Sequence, residues 1–335
     1  MLPKTETREP VFRILSLDGG GIRGIFTASF LAALEEMAGR RAGDFFDLIV
    51  GTSTGAIIGL ATALGIPART VLDLYVERGA RIFRHPRLLG WILRPRYGHR
   101  HLERAVREIF GDRTINDARV PVCIPSYELT NAYPRIWKDE HAAHLHWWGD
   151  QPAWRIALAS AAAPLYFPAM QVLEGDSHVD GGLYANNPVL VGLTEAVHVF
   201  NQPLDRIRVL SIGAGERAER IPQSHAVRMG LWQWRSALYE HILGAQARGA
   251  HEIARRLLTA GQYERVNIPL ERNYRLDDYR SALTLREPGA QEARTRGDDL
   301  RDRFLFAPAT LGRDQKDAVA AEARRRPPSV HGRGG

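Results

Sequence analysis

One cysteine, four methionines and three lysines are all that this 335-residue chain holds of those types. A lone cysteine cannot pair within the chain, so a disulfide scaffold is excluded and nothing requires an oxidising compartment. Cys123 sits in the apolar run Val120-Pro-Val-Cys-Ile-Pro125 and reads as buried strand filler. With lysine confined to positions 4, 138 and 316, arginine carries nearly all the positive charge, and the formal net charge is +7. Such an excess admits anionic partners without selecting one. The first ten residues, Met1-Leu-Pro-Lys-Thr-Glu-Thr-Arg-Glu-Pro10, lack the apolar core of a secretory signal, which predicts a cytoplasmic protein. Uninterrupted membrane spans are missing too. Leu48 to Ala68 carries no charge but breaks into strand, Gly/Thr/Ser turn and small-residue helix, and Ile156 to Leu173 is interrupted by Pro164 and Pro168. Both predict buried core.

What is present is ordinary globular composition, 44% hydrophobic and 25% charged, in a length that fits one large α/β domain with appendages. Strands are predicted at Phe12 to Leu17 and Phe46 to Val50, each followed after a short turn by a helix, Ile25 to Ala38 and Thr54 to Leu64. That β-turn-α repetition favours a parallel sheet. Leu102, Val106, Ile109 and Phe110 keep helical spacing, Val120 to Ile124 and Arg206 to Ile212 predict strands, and Leu231 to Leu258 predicts a long helix. From Pro288 the chain is dense in Arg, Asp, Gly and Ala, and residues 288–335 are expected to form a mobile tail.

Chemistry concentrates in three places. Gly51-Thr-Ser53-Thr-Gly55 follows a strand and opens a helix, the setting of a nucleophile elbow, in which serine sits on strained backbone and the glycines let strand and helix approach. Asp18-Gly-Gly-Gly21-Ile-Arg23-Gly24 lies in the same kind of turn. Its glycine amides and Arg23 suit an oxyanion, while Gly19, Gly21 and Gly24 also satisfy the dinucleotide pattern, with Asp44 or Asp47 near the distance expected for a ribose hydroxyl. Asp180-Gly181-Gly182 ends a strand-like run within Ser177-His-Val-Asp-Gly-Gly-Leu-Tyr-Ala-Asn-Asn-Pro188. An isolated D-G-G is more often a turn cap than a catalytic carboxylate.

In that order the three motifs resemble the patatin-like phospholipase family over residues 12 to 215, with further likeness in Ala159-Ser-Ala-Ala-Ala-Pro164-Leu-Tyr-Phe-Pro168 and Ser211-Ile-Gly-Ala-Gly215. The resemblance implies a three-layer α/β fold with a mostly parallel central sheet and a helix-rich C-terminal appendage at 216–287, after an N-terminal extension at 1–11. It implies Ser53 as nucleophile, Asp180 as general base, and Gly19, Gly20, Gly21 and Arg23 around the oxyanion, without a cofactor or a metal. The chain is also similar to the bacterial members that act in anti-phage signalling, where a cyclic nucleotide switches on membrane degradation. A cyclic nucleotide activator, peripheral action at the inner membrane and a homo-oligomer are therefore expectations. A constitutive lipid hydrolase, a dinucleotide-binding oxidoreductase and a non-catalytic membrane module are the rivals.

Histidines enter weakly. His178 shares a strand face with Asp180 and raises a Ser-His-Asp triad, but no other histidine stands in a comparable motif. His141, His144 and His146 lie among Trp137, Trp147 and Trp148 without a ligand spacing of a zinc site, so no metal is expected. The stretch from Arg84 to His101 is basic and free of acids, and Trp91, Arg94, Arg96 and Arg100 are its candidate contacts to membrane or activator.

Overall fold

The computed structural model describes residues 11–83, 94–142, 149–216, 221–270 and 274–325. In chain order the elements are β1 (Phe12–Leu17), α1 (Gly24–Ala38), β2 (Leu48–Gly51), α2 (Thr54–Ala63), α3 (Ala68–Ile82), α4 (Arg100–Phe110), β3 (Val122–Glu128), β4 (Tyr133–Lys138), α5 (Ala153–Ser160) and β5 (His178–Asp180). They continue with α6 (Gly182–Ala185), α7 (Val189–His198), β6 (Ile207–Ile212), α8 (Gln223–Ala226), α9 (Leu231–Leu257), β7 (Tyr263–Val266), α10 (Tyr279–Ala282), α11 (Arg286–Arg303) and α12 (Leu311–Arg325).

The strands form one sheet in the order β4-β3-β2-β1-β6-β7, and β5 also pairs with β3. The neighbours from β3 through β7 on that path are all parallel, while β4 and β5 run antiparallel to β3. Strand residues alternate between two cores, as the two-residue period of a strand requires. Leu15, Leu17, Ile49 and Ile124 face a core that includes α1, α2 and α5, whereas Phe12, Ile14, Val50 and Cys123 face another with α7 and α9. Every residue of β1 is buried, Arg13 and Ser16 included, so the strand is covered on both faces as a three-layer α/β fold requires.

The pairing of β3 positions the site. Its first residues pair with the end of β2, Ile49 opposite Val122 and Val50 opposite Cys123. Its last residues pair with β5, Ser126 opposite Asp180. Thus β5 takes the place beside β3 that β2 vacates, and the end of one meets the turn that leaves the other.

Two expectations need correction. Residues 288–303 and 311–325 are helical, and α11 lies along α1, burying Gly289, Ala293, Gly297 and Leu300. Spacings of four, four and three residues place these on one helix face, and a Cβ at Gly289 would stand 2.5 Å from the Phe26 carbonyl oxygen. Small residues bring the two backbones together without registering as a hydrophobic run, so composition concealed the packing. The part of that tail beyond residue 325 lies outside the described residues. The helix-rich region after Gly215 also supplies β7, paired in parallel with β6, so it contributes to the sheet as well as covering it.

Candidate active site

Ser53 begins the turn between β2 and α2 with φ 57° and ψ −121°, a conformation disfavoured for any residue with a Cβ. Close packing enforces it. A Cβ at Gly51 would lie 2.2 Å from the Gly55 carbonyl oxygen, and one at Gly55 would lie 2.3 Å from that of Leu17, so both flanking glycines are needed for helix and strand to approach. The turn is held from α5 as well. Ser53 N–H donates to Ser160 Oγ at 2.9 Å, and Ser160 Oγ donates to the Pro125 carbonyl at 2.6 Å. Ser160 belongs to the Ala159–Pro168 stretch, but its role depends on a partner more than a hundred residues away, which the sequence does not display.

Ser53 Oγ donates to Asp180 Oδ2 at 2.7 Å. The other oxygen, Oδ1, accepts from Gly182 N–H at 2.7 Å, which gives the second glycine of the motif a function. Asp180 is 2% exposed and burial pushes its carboxyl up to about 6, although the hydrogen bonds from Ser53 and Gly182 and the nearby Tyr239 hydroxyl pull the other way. Desolvation therefore converts a weak base into one that accepts a proton near neutrality. Ser53 and Asp180 open on an apolar pocket walled by Ile57, Tyr75, Phe83, Tyr166, Phe167 and Leu276, with Gly20 and Gly21 at its rim.

The Gly-rich turn is divided in its roles. Gly19 N–H donates to the Asn186 carbonyl at 2.9 Å and is withdrawn from any oxyanion, contrary to expectation. No hydrogen-bond acceptor is seen for the amides of Gly20 and Gly21 among the described residues. Arg23 does not line the Ser53 pocket but a neighbouring polar cavity, a second correction. Its backbone N–H and Nε both donate to the Gly20 carbonyl, each at 3.2 Å. Because C=O and N–H point oppositely across a peptide, this grip fixes the direction of the Gly21 amide. Behind the turn, Arg265 of β7 forks onto Asp18, with Nη1 2.9 Å from Oδ1, and also reaches Ser211 Oγ. Asp18 thus anchors the loop and takes no part in the pocket's chemistry.

The other sequence candidates are used elsewhere. His178 Nδ1 meets Ser126 Oγ at 3.1 Å and Nε2 meets Asp176 at 2.8 Å, so the structure does not bring it between Ser53 and Asp180. Asp47 accepts from the amides of Arg13 and Gly312, and Asp44 pairs with Arg313, leaving neither for a ribose. Arg96 is tied to buried Asp277 at 2.8 Å, a correction to its reading as an activator contact. Arg94 and Arg100 are exposed, whereas Trp91, His144, His146, Trp147 and Trp148 lie outside the described residues. Cys123, His141 and Glu195 offer ligand atoms within 4.8 Å of one another. Both His141 nitrogens are engaged, by Asp139 and Glu195 at 2.8 Å each, and these carboxylates hold His141 protonated, its pKa up to about 9. Lys138 and Lys316 complete a buried ion network joining β4, α7 and α12.

The family model described as patatin-like phospholipase matches residues 15–193. The chain belongs to the patatin-like phospholipase family. It is 34% identical over 255 residues to a Pseudomonas aeruginosa protein named cGAMP-activated phospholipase, covering 74% of this chain and 76% of that one. A Vibrio cholerae protein of the same name is 34% identical, over 69% of this chain and 73% of its own. Patatin-like protein 4 of Arabidopsis thaliana is 31% identical, over 66% and 64%. Membership makes the chain a lipid ester hydrolase. Among the described residues no helix is long and apolar enough to cross a membrane.

The Ser160 bridge yields a prediction. Ser160→Ala removes the acceptor of the buried Ser53 N–H, which costs about 1–3 kcal/mol when left unpaired. Thermal melting should drop accordingly, and ester turnover should fall about 10-fold or more, because small displacements of reacting groups are costly. An unchanged turnover number would show that Ser160 does not position Ser53.

Proposed function

We propose that the chain cleaves fatty-acyl esters of membrane phospholipids through a Ser53–Asp180 dyad and that a cyclic nucleotide switches it on. The 2.7 Å hydrogen bond between Ser53 Oγ and a desolvated Asp180 carries the reading. As Ser53 Oγ attacks the ester carbonyl, its proton passes to Asp180. The carbonyl oxygen becomes an anion beside the Gly20 and Gly21 amides and the positive N-terminal end of α2. Collapse breaks the bond to the leaving alcohol, to which Asp180 returns the proton. Water then attacks the acyl-enzyme with Asp180 as base again, releasing the fatty acid and restoring the serine.

Two further observations support a lipid surface as substrate. The pocket beside Ser53 is apolar, as an acyl chain requires. Leu165, Trp234 and Leu238 are exposed, and their neighbours Tyr166 and Tyr239 approach with ring centroids 6.4 Å apart at the site. Such an apolar rim suits peripheral docking at the inner membrane from the cytoplasm. Activation by a cyclic nucleotide, and with it a place in anti-phage defence, rests on likeness to the cGAMP-activated relatives.

The test is fatty-acid release from mixed phospholipid liposomes with and without a panel of cyclic di- and trinucleotides. Release that appears only with one nucleotide supports the full reading. Equal release without any would remove the switch and leave a constitutive hydrolase. No release under any condition would contradict the phospholipid assignment.

A pH profile follows from Asp180. The base must be ionised to accept the serine proton, and its pKa is raised to about 6, so kcat/KM on a soluble ester should rise with pH through about 6 and level off above. A profile flat from pH 5 to 8 would contradict Asp180 as base.

A further inference from the structure

A second cavity, open to solvent, adjoins the apolar pocket on the other side of the Gly-rich turn. Its walls come from that turn, the segment after β6, the end of β7 and α9. Three guanidinium groups converge there, from Arg23, Arg248 and Arg265, and their engagements differ. Arg265 is fixed by its fork onto Asp18. Arg248 makes a 2.7 Å pair with Glu216 in which the side chains are 48% and 38% exposed, a solvent-screened pairing that is readily exchanged. Arg23 has no carboxylate within salt-bridge distance among the described residues, and with Nε held by Gly20 its terminal nitrogens are left to the cavity. Burial disfavours its charge, yet a guanidinium remains protonated. Glu240 on the same wall supplies a counter-charge to Arg23 without lying within salt-bridge distance, so the terminal nitrogens can still donate hydrogen bonds to an anion in the cavity.

The charge balance restricts which anion. Asp18, Glu216 and Glu240 stand on the same walls and offset the three arginines, so a singly charged group that takes two or three charge-assisted hydrogen bonds suits the cavity better than a dianion. We infer that this cavity binds a phosphodiester. Resting on the proposed reaction and its switch, this chemistry has two sources, the headgroup of the phospholipid and the cyclic nucleotide.

The position links occupancy to catalysis. Arg23 holds the peptide that aims the Gly21 amide. The helix that carries Glu240, Gly244 and Arg248 in the cavity also carries Leu243 in the acyl pocket and Tyr239 beside Asp180. A ligand bridging Arg23 and Arg248 therefore bears on both the oxyanion loop and the base.

The test uses full-length Ser53→Ala protein, which binds without turnover, titrated calorimetrically with glycerophosphoglycerol and with cyclic GMP–AMP. Arg248→Ala should weaken binding at least fivefold, and Glu216→Gln, which frees Arg248, should tighten it, a change that misfolding cannot imitate. Binding of the dinucleotide alone assigns the cavity to the activator, and binding of the headgroup alone assigns it to the substrate. Binding of neither probe, or binding that both substitutions leave unchanged, overturns the inference. If the liposome assay still shows Ser53-dependent release in that case, the proposed reaction stands without the cavity.

Discussion

Ser53→Ala should leave a folded protein whose fatty-acid release has fallen by about 10⁴-fold or more, the scale seen when a catalytic serine is removed from a hydrolase. The effect comes from lost covalent chemistry. Ser53 Oγ makes one hydrogen bond, to Asp180, while the elbow depends on Gly51, Gly55 and the Ser160 bridge to the Ser53 amide, all retained in alanine. Thermal melting should therefore shift by only a few degrees. Residual activity within tenfold of the parent would move the nucleophile elsewhere.

Asp180→Asn should cost about 10³–10⁴-fold, by analogy with loss of the orienting carboxylate in a serine triad. The two substitutions are expected to differ in their pH signature. Asparagine takes no proton in this range, so whatever activity remains should lose the rise through pH 6. Stability should move in the opposite direction from activity. The folded carboxyl has its pKa raised above the ordinary 3.8, so its ionisation destabilises the native state progressively as pH climbs from about 4 to about 6, and the full cost persists above. Removing that charge while keeping an acceptor for Gly182 N–H should leave the variant at least as stable as the parent at pH 8. A variant that melts lower and retains the pH 6 limb would contradict Asp180 as the titrating base.

The parts of this architecture readable from sequence are those in which local pattern and function coincide. β1 and β2 are predominantly apolar because their strands are buried on both faces, and each ends in a glycine-bearing turn that a helix follows. The strand before Ser53 begins at Leu48, two residues later than expected, because Asp47 is engaged with the Arg13 and Gly312 amides. Asp180 was identifiable only through its motif, since β5 is three residues long and shows no alternation. What stayed hidden depends on distant partners. Ser160, Tyr239 and Arg265 are unremarkable in their own segments and acquire roles only where α5, α9 and β7 reach the two turns. Gly19 and Arg23 show the converse: a glycine-rich motif announces a tight turn near an anion, but which amides face the pocket depends on who takes the others.

The most direct test is a fluorophosphonate reaction under the conditions that give ester turnover, followed by peptide mapping of the adduct. The probe forms a bond only with a nucleophile whose proton is removed and whose developing oxyanion is held. A single adduct on Ser53, formed more slowly in Asp180→Asn and as the parent's pH profile dictates, is the predicted result. An adduct on another residue, or labelling of Ser53 at an undiminished rate without Asp180, would contradict the dyad.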